Sequence, residues 1–194
     1  EMDFPPTFTT PAYFFNMQSF RYTQDTIDAE LKKSKEDFIL HFRSAYTDDY
    51  PPAWMIAEIL PLGLLCRIYT NLKDNVIKKR VAQHFGLQVP VFSSWIVILA
   101  GLRNMCCHHC RTWNRELATI TTEPRRTKYG WIDSSRTDKR RMYYRICMIR
   151  YFLYTVSPNN NFKDKLKTLL AAYPNIDTAA MGFPSDWESE DIWK

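Results

Sequence analysis

The chain has 194 residues, of which 45% are hydrophobic and 24% charged, a length that suits one buried core. Only five glycines are present, too few for the many tight turns of an all-β sandwich, so we predict a mainly helical single domain over residues 1–194. The formal charge is +5, but residues 103–150 alone hold twelve Arg and Lys against four acids. This segregation favours a polyanion partner, with a solvated basic face as the alternative.

Taken in chain order, residues 1–10 are predicted to be an extended lead-in without the profile of a signal peptide. A helix is predicted from Pro11 toward Glu30. "SKED" at 34–37 resembles a capping box that opens a helix ending near Tyr46, with Phe38, Ile39 and Phe42 facing inward.

Residues 53–71 are apolar on most faces and predict a buried helix that bends near Pro61. Residues 75–85 predict a basic amphipathic helix closed by Gly86. A long helix is then predicted from Val91 to about Leu117. Its apolar stretch, 89–102, is too short to span a bilayer, so we expect no membrane partner.

The C-terminal third begins with a predicted basic loop at 121–137. Residues 138–156 predict a helix whose buried stripe is Met142, Ile146, Ile149 and Leu153, with Arg141 and Arg145 off that stripe. A short helix is predicted at 162–173. The last residues form an irregular tail, and we expect its Trp187 and Trp193 to dock on the domain.

The stretch "RNMCCHHCRTWNR", residues 103–115, is the most informative part of the chain. If it is helical, its polar side chains share one face: Arg103, Asn104, His108, Arg111, Asn114 and Arg115. The opposite face carries an apolar stripe: Trp95, Leu99, Leu102, Cys106, Cys110, Trp113 and Leu117. His109 lies beside that stripe and is expected to pack, while Cys107 faces the polar side.

Guanidinium groups clustered without acids on their face predict an anion ligand. Phosphodiester chemistry would use this set directly, with His108 as general acid or base, Arg103 on the phosphate and Asn104 orienting His108 or the ribose. RNA supplies its own nucleophile in the 2′-OH, so no metal is needed. The alternative for His108 is a surface histidine that only donates or accepts hydrogen bonds.

The five cysteines raise two other possibilities. A structural zinc site needs four converging ligands, and here only Cys107 and Cys110 form a pair, while Cys66 and Cys147 stand alone on apolar helices. A nucleophilic cysteine paired with histidine would need a lowered pKa, and no other feature suggests acyl transfer. We therefore expect no metal and no cofactor, and the odd number of cysteines favours a reducing compartment.

"RNMCCH" resembles the R-x4-6-H signature of HEPN-domain ribonucleases. The wider string "LRNMCCHHCRTWNR" is similar to the motif "RNxxAHHxRLWNR" of the Abi-like abortive-infection family, AbiD/AbiF type. The resemblance extends to "SKEDFILHF", "PPAWMIAEILPLGLLCRIYTNLK" and "MGFPSDW". Cys107 replaces the alanine of the family motif, a change between small residues. Family members usually carry further N-terminal helices, so we expect that this chain lacks a region that its relatives have.

The resemblance implies an all-α, HEPN-type helical bundle whose long helix carries the motif. It also implies a homodimer that cuts RNA without metal, acting as a toxin in phage defence in the bacterial cytoplasm, with a small noncoding RNA as a further partner. Arg103, Asn104 and His108 would be catalytic. The residues expected to bind RNA are Arg111, Asn114, Arg115, Arg125, Arg126, Lys128, Arg141 and Arg145. There are two alternatives to a ribonuclease. The protein could be a non-catalytic RNA-binding module, or its basic face could bind an acidic protein partner.

Overall fold

The computed structural model describes residues 7–194. Within them the chain forms eight α-helices and six short 3-10 turns, and the only strand-like pairing is an isolated bridge between Phe14 and Leu72. The prediction of an all-α fold is confirmed. The chain divides between residues 78 and 79 into two compact units, while the single domain over 1–194 stays a prediction.

The beginning of the chain differs from the sequence-based expectation. Residues 1–6 of the predicted lead-in lie outside the described residues. Thr7–Thr9 and Pro11–Tyr13 each form a 3-10 turn, so the helix predicted from Pro11 starts later. Helix α1 is Met17–Lys33.

Two polar residues set the limits of α1. The Asn16 side-chain oxygen accepts a hydrogen bond from the Ser19 N–H at 2.8 Å, which satisfies one of the free donors of the first turn. Ser34 is the C-cap of α1, so the capping box predicted at "SKED" is wrong. Helix α2, Asp37–Ala45, follows Glu36, whose side chain makes no capping bond.

The core of the first unit forms where α1 meets two short helices. Helix α3 is Ala53–Ile59 and helix α4 is Leu62–Asn71, so the predicted bend at Pro61 is a complete break. Proline lacks the N–H that would continue the hydrogen-bond ladder. The buried cluster consists of Phe8, Ile27, Ile56, Leu60 and Leu64. Ile39 and Phe42 of α2 are also buried, as predicted.

Helix α5, Asn75–His84, ends at a glycine as the sequence predicts. The N–H of Gly86 donates to the Gln83 carbonyl at 2.9 Å, and the N–H of Leu87 donates to the Ala82 carbonyl at 3.0 Å. Gly86 has a φ of 67°, which a residue without Cβ adopts at little cost. These two hydrogen bonds form a Schellman motif.

The second unit is built on helix α6, Val89–Cys107, and helix α7, Met142–Val156. Trp95 of α6 is fully buried and lies 4.7 Å from Trp131 and 5.4 Å from Tyr151 between ring centroids. Aromatic pairs of this kind contribute about 0.5–1.5 kcal/mol each beyond the area they bury. The unit is therefore held by an aromatic cluster.

The buried face of α7 differs from the predicted stripe. Ile146 is buried, but Met142, Ile149 and Leu153 are only half-buried. The residues that fill the interior are Tyr143, Tyr144, Arg145, Cys147, Met148, Arg150 and Tyr151. The prediction placed Arg145 off the buried stripe, whereas its guanidinium is buried and donates to the Thr119 carbonyl, and the Tyr143 hydroxyl donates to Glu190 Oε2 at 2.6 Å.

Helix α8, Phe162–Ala172, lies where the sequence predicts it, and the tail after it docks. Trp193 is fully buried, and its indole N–H donates to the Tyr143 hydroxyl at 3.0 Å. Trp187 is half-buried, with its ring centroid 5.0 Å from that of Trp193. The docking of both tryptophans is confirmed.

Helix α6 is 19 residues long, longer than the 14-residue apolar stretch seen in the sequence. By length and composition alone it could cross a membrane. Of its apolar stretch, 33% is buried in the structure, including Val91, Phe92, Trp95 and Ile98.

Candidate functional site

The helix that carries the motif ends inside it. Helix α6 stops at Cys107 rather than near Leu117, and His108 is its C-cap, with a backbone N–H that donates to the Asn104 carbonyl at 3.0 Å. The predicted continuation of the helix to Leu117 is therefore wrong.

A second Schellman motif terminates α6. The N–H of His109 donates to the Cys106 carbonyl at 3.1 Å, and the N–H of Cys110 donates to the Met105 carbonyl at 2.9 Å. His109 occupies the left-handed position with a φ of 53°, where glycine is usual. A histidine at this position is the reason that the sequence did not signal the end of the helix.

The early end of α6 breaks the predicted polar line. Arg111, Asn114 and Arg115 follow the helix in an irregular segment, and Asn114 has a φ of 46°. These residues do not continue the face of Arg103 and Asn104 by helical periodicity. The prediction that all the polar residues share one helical face is wrong.

The three predicted catalytic side chains are exposed around the last turn of α6. The Arg103 guanidinium donates from Nη1 to Asn104 Oδ1 at 3.2 Å. His108 follows directly, with its side chain exposed and its backbone fixed by the helix end. A guanidinium that an amide holds in place can bind an anion, and an exposed imidazole can exchange a proton with a ligand.

The segment after the helix is tied to other parts of the second unit. Arg141 Nη1 donates to Asn114 Oδ1 at 3.3 Å, and the Trp113 indole N–H donates to the Asp177 carbonyl at 3.3 Å. Arg115 Nη1 lies 3.5 Å from the Arg111 carbonyl, at the limit of a hydrogen bond. Of the predicted RNA-binding residues, the structure thus brings Asn114 and Arg141 together.

Several residues assigned to the apolar face are instead exposed. Cys106, Cys110 and His109 are exposed, and Trp113 is 41% exposed. Cys110 and Trp113 leave the apolar face because the helix has already ended, and Cys106 lies in its final turn. Cys107 is exposed as predicted.

The two remaining cysteines are buried, as predicted. Cys66 and Cys147 are 4% and 0% exposed, and burial raises the pKa of both thiols. Among residues 7–194, no three His, Cys, Asp or Glu side chains are grouped closely enough to hold a metal ion.

Ion pairs neutralise part of the basic segment 103–150. Four of its twelve cations lie within 4.0 Å of a carboxylate: Arg136 with Asp186, Lys139 with Glu123, Arg140 with Glu116, and Arg141 with Asp138. The hydrogen bond from Lys139 holds the pKa of Glu123 below its ordinary value. The other eight cations have no such partner in the part of the chain that the structure describes. Six of these eight are exposed: Arg103, Arg111, Arg115, Arg125, Arg126 and Lys128.

Arg145 is the exception among the predicted RNA-binding residues. It is 1% exposed, and its Nη2 donates to the Thr119 carbonyl, so its predicted place on the surface is wrong. Burial lowers the pKa of its guanidinium. The α7 backbone directs this side chain inward, next to Met148, rather than away from the buried stripe.

Two cavities of the second unit were not foreseen. One, of about 630 Å³, is lined by Lys79, Gln83, Gly86 and residues 126–128. The other, of about 370 Å³, lies beside the motif and is lined by Val97, Gly101 and Met105 of α6. These three residues are spaced four apart, a helical periodicity that could have revealed an unfilled groove.

Comparison with known proteins identifies the family. A family model described as Abi-like protein matches residues 5–114, more than half of the chain. The match includes Arg103 through Asn114, whereas Arg115 and the "MGFPSDW" ending lie beyond it. Neither a curated protein nor a solved structure matches the chain. On the strength of the family match, the chain belongs to the Abi-like protein family.

Proposed function

We propose that this protein is a metal-independent endoribonuclease of the HEPN type that acts as a toxin in phage defence. Membership of the Abi-like family suggests a role in abortive infection. The observation that carries the nuclease proposal is the exposed group formed by Arg103, Asn104 and His108 at the end of α6.

The proposed reaction uses the 2′-hydroxyl of RNA. Its oxygen attacks the adjacent phosphorus, the bond from phosphorus to the 5′-oxygen breaks, and the products carry a cyclic phosphate and a 5′-OH. His108 transfers a proton as general acid or base, and Arg103 stabilises the charge that develops on the phosphate. Asn104 acts as a positioning residue because its Oδ1 accepts from the Arg103 guanidinium at 3.2 Å.

The six exposed cations without an acid partner support an RNA ligand. Phosphates attract clustered arginine and lysine, and contacts to the RNA backbone position the strand without reading its sequence. Arg111 and Arg115 follow the catalytic group, while Arg125, Arg126 and Lys128 lie on the loop 121–133. Arg141 is assigned to this surface through its hydrogen bond to Asn114.

The reaction needs a general base to take the proton of the 2′-OH and a general acid to protonate the departing 5′-oxygen, and His108 of one chain can fill only one of these roles at a time. We therefore propose a homodimer in which two motifs meet, and a small noncoding RNA as a further partner, in the bacterial cytoplasm. This arrangement follows from the resemblance to HEPN ribonucleases and is tested by light scattering at the concentrations used for cleavage.

The test is cleavage of an end-labelled mixed-sequence RNA in EDTA. The wild type is compared with His108→Ala and Arg103→Ala, and with the exposed control substitutions His41→Ala and Arg21→Ala. We expect cleavage by the wild type and the controls, with cyclic-phosphate ends, and losses of at least about 100-fold in the two motif variants. Alanine retains the backbone N–H of His108, so the helix end is preserved.

Two results would refute the nuclease proposal. Wild-type cleavage that EDTA abolishes would place a metal in the reaction. Activity of His108→Ala equal to that of His41→Ala would remove the imidazole from the mechanism and assign any cleavage to another group or to a contaminant.

A non-catalytic RNA-binding module is the second candidate, since six exposed unpaired cations suffice for binding without cleavage. It predicts that His108→Ala leaves RNA affinity unchanged and that no protein cuts RNA. In either case the logarithm of RNA affinity should fall with that of salt concentration, with a slope of about −0.7 per phosphate contacted. A flat salt dependence would instead favour an acidic protein partner.

A further inference from the structure

The larger cavity of the second unit, about 630 Å³ in volume, is positively charged. Three cations line it: Lys79 of α5, and Arg126 and Lys128 of the loop 121–133. Its lining includes no aspartate and no glutamate. All three cations are exposed, and none lies within 4.0 Å of a carboxylate of residues 7–194. A cavity with this charge attracts an anion.

The charged groups of these side chains are available to a ligand. Within residues 7–194, neither the Lys79 ammonium nor the Arg126 guanidinium donates a hydrogen bond. The Lys128 ammonium lies 5.0 Å from the centroid of the Tyr129 ring, a contact that leaves its charge in place. Lys79 and Arg126 are therefore the two cations that an anion in the cavity would pair with first.

Hydrogen bonds between distant segments hold the walls of the cavity together. Gln88 Nε2 donates to the Arg126 carbonyl at 3.1 Å. The Tyr151 hydroxyl accepts from the Lys128 N–H at 3.1 Å and donates to the Gly86 carbonyl at 3.4 Å. Gly86 permits this close approach, because a Cβ at this position would overlap the Lys128 Cβ. The backbone that carries two of the cations is thus fixed before a ligand binds, which lowers the cost of binding.

Helix α6 begins at the same cavity. Val89 and Pro90, its first two residues, are part of the lining. The Gln88 side chain does not cap the helix, and the first turn contains no acidic residue. The partial positive charge of the helix end is therefore not neutralised there, and it adds to the charge of the three cations.

Charge and size together indicate the ligand. A phosphodiester within an RNA strand carries one negative charge, whereas a terminal phosphate monoester carries about 1.5–2 at pH 7. Three cations without an acid match the higher charge better. The cavity is also larger than one phosphate, and Leu87, Val89 and Pro90 give it an apolar part that can contact a ribose or a base.

We propose that this cavity binds the terminal phosphate of an RNA strand, with Lys79 and Arg126 as its main contacts. A guanidinium and an ammonium both form strong charge-assisted hydrogen bonds with phosphate oxygens. The inference rests on the proposed function, since it assigns a second contact of the same RNA. It differs from that function in naming the end of the strand as the recognised feature.

The cavity lies far from the proposed catalytic group. It is at the first residues of α6, whereas Arg103, Asn104 and His108 lie around the last turn. A helix of 19 residues is about 28 Å long, so one nucleotide cannot reach both places. The cavity therefore recognises an end of the strand and takes no part in the chemistry. If that end is the 5′ end, the downstream product, which begins with a 5′-OH, lacks the recognised group.

The experiment measures RNA binding by fluorescence anisotropy in EDTA. The same oligonucleotide, with 2′-O-methyl riboses that remove the nucleophile and an internal fluorophore, carries a 5′-phosphate, a 3′-phosphate or no terminal phosphate. We expect one of the two terminal phosphates to tighten binding about tenfold relative to the RNA without one. Adenosine monophosphate is then added as a competitor. Competition shows that a free nucleotide enters the same cavity, and its absence restricts the cavity to RNA ends.

Variants locate the terminal phosphate. We expect Lys79→Gln and Arg126→Gln each to lose most of the gain in affinity from the terminal phosphate. Arg80→Gln is the matched control for Lys79→Gln, because Arg80 is an exposed neighbour on α5 outside the cavity lining. Arg125→Gln, the matched control for Arg126→Gln, should weaken binding of all the RNAs alike and keep the gain. Far-UV circular dichroism checks that every variant is folded.

Three outcomes would overturn the assignment. Equal affinity of the wild type for the RNAs with and without a terminal phosphate removes this site and leaves the proposed nuclease standing. An equal loss of the gain in Lys79→Gln and Arg80→Gln means that overall charge, and not the cavity, attracts the terminal phosphate. If no RNA binds at all, the proposed function fails, and the site fails with it.

Discussion

The left-handed conformation of His109, just after the end of α6 at Cys107, can be tested by measuring the unfolding free energy of variants. We compare His109→Gly with His109→Ala, and wild-type Gly101 with Gly101→Ala in the interior of the same helix. The first pair probes a left-handed residue with a φ of 53°, and the second probes an ordinary helical residue with room for a Cβ. The two comparisons should differ in sign.

The magnitude follows from two opposing effects. A left-handed conformation costs a residue with a Cβ roughly 1–2 kcal/mol. Glycine loses about 0.5–1 kcal/mol more chain entropy on folding than alanine does. The difference predicts that glycine is more stable than alanine at position 109 by about 0.5–1 kcal/mol, whereas alanine is more stable than glycine at position 101 by about the same amount.

The assay is urea denaturation followed by far-UV circular dichroism, supported by thermal melts. For a chain of this size, 1 kcal/mol corresponds to a shift in Tm of about 2–4 °C. If alanine proves more stable than glycine at both positions, residue 109 is helical. In that case α6 continues toward Leu117, as the sequence alone suggests, and the reasoning is refuted.

Three further predictions concern stability and can be checked with the same denaturation assay. Burial raises the pKa of Glu190 above its ordinary value of 4.5, so its stabilising contribution is complete below about pH 4.5 and is lost as the pH rises through the folded-state pKa. As the pH rises from 4 to 8, the unfolding free energy should therefore fall more steeply for the wild type than for Glu190→Gln. Parallel plots of unfolding free energy against pH for the two proteins would contradict this. Trp193→Ala should cost about 3–5 kcal/mol because Trp193 is fully buried, whereas Trp54→Ala, at a residue that is 63% exposed, should cost less than about 0.5 kcal/mol. Asn71 accepts from the Asn16 N–H at 2.8 Å and donates to the Asn16 carbonyl at 3.0 Å, so Asn71→Ala should cost about 1–3 kcal/mol, and a neutral effect would show that water replaces both bonds.

Local chemistry predicted the elements whose signals lie in a few neighbouring residues. Gly86 ends α5 as predicted, and Pro61, where a bend within one helix was predicted, separates α3 from α4, because a missing Cβ or N–H acts on its own turn of backbone. The short helix α8 has a clear amphipathic period and lies where it was predicted. The family motif itself was also visible in the sequence.

The candidate site was only partly predictable. The arginine, asparagine and histidine side chains near Arg103 and His108 indicated phosphate chemistry. The irregular backbone of residues 108–117, however, could not be predicted from helical periodicity. Residues 108–117 contain neither glycine nor proline, so no local signal marked the end of the helix. Tertiary contacts such as that between Asn114 and Arg141 hold the irregular segment instead.

The sequence by itself determined the helical class, most of the helices and a basic, histidine-bearing motif at one position along the chain. Only the tertiary structure decided that α6 stops at Cys107, that Arg145 is buried, and that a groove lined by Gly101 and Met105 lies along α6. The physical reason is that propensity and periodicity act over one or two turns. Burial and unfilled space, by contrast, depend on residues far apart in the chain, such as Thr119 and Arg145, that meet only after folding.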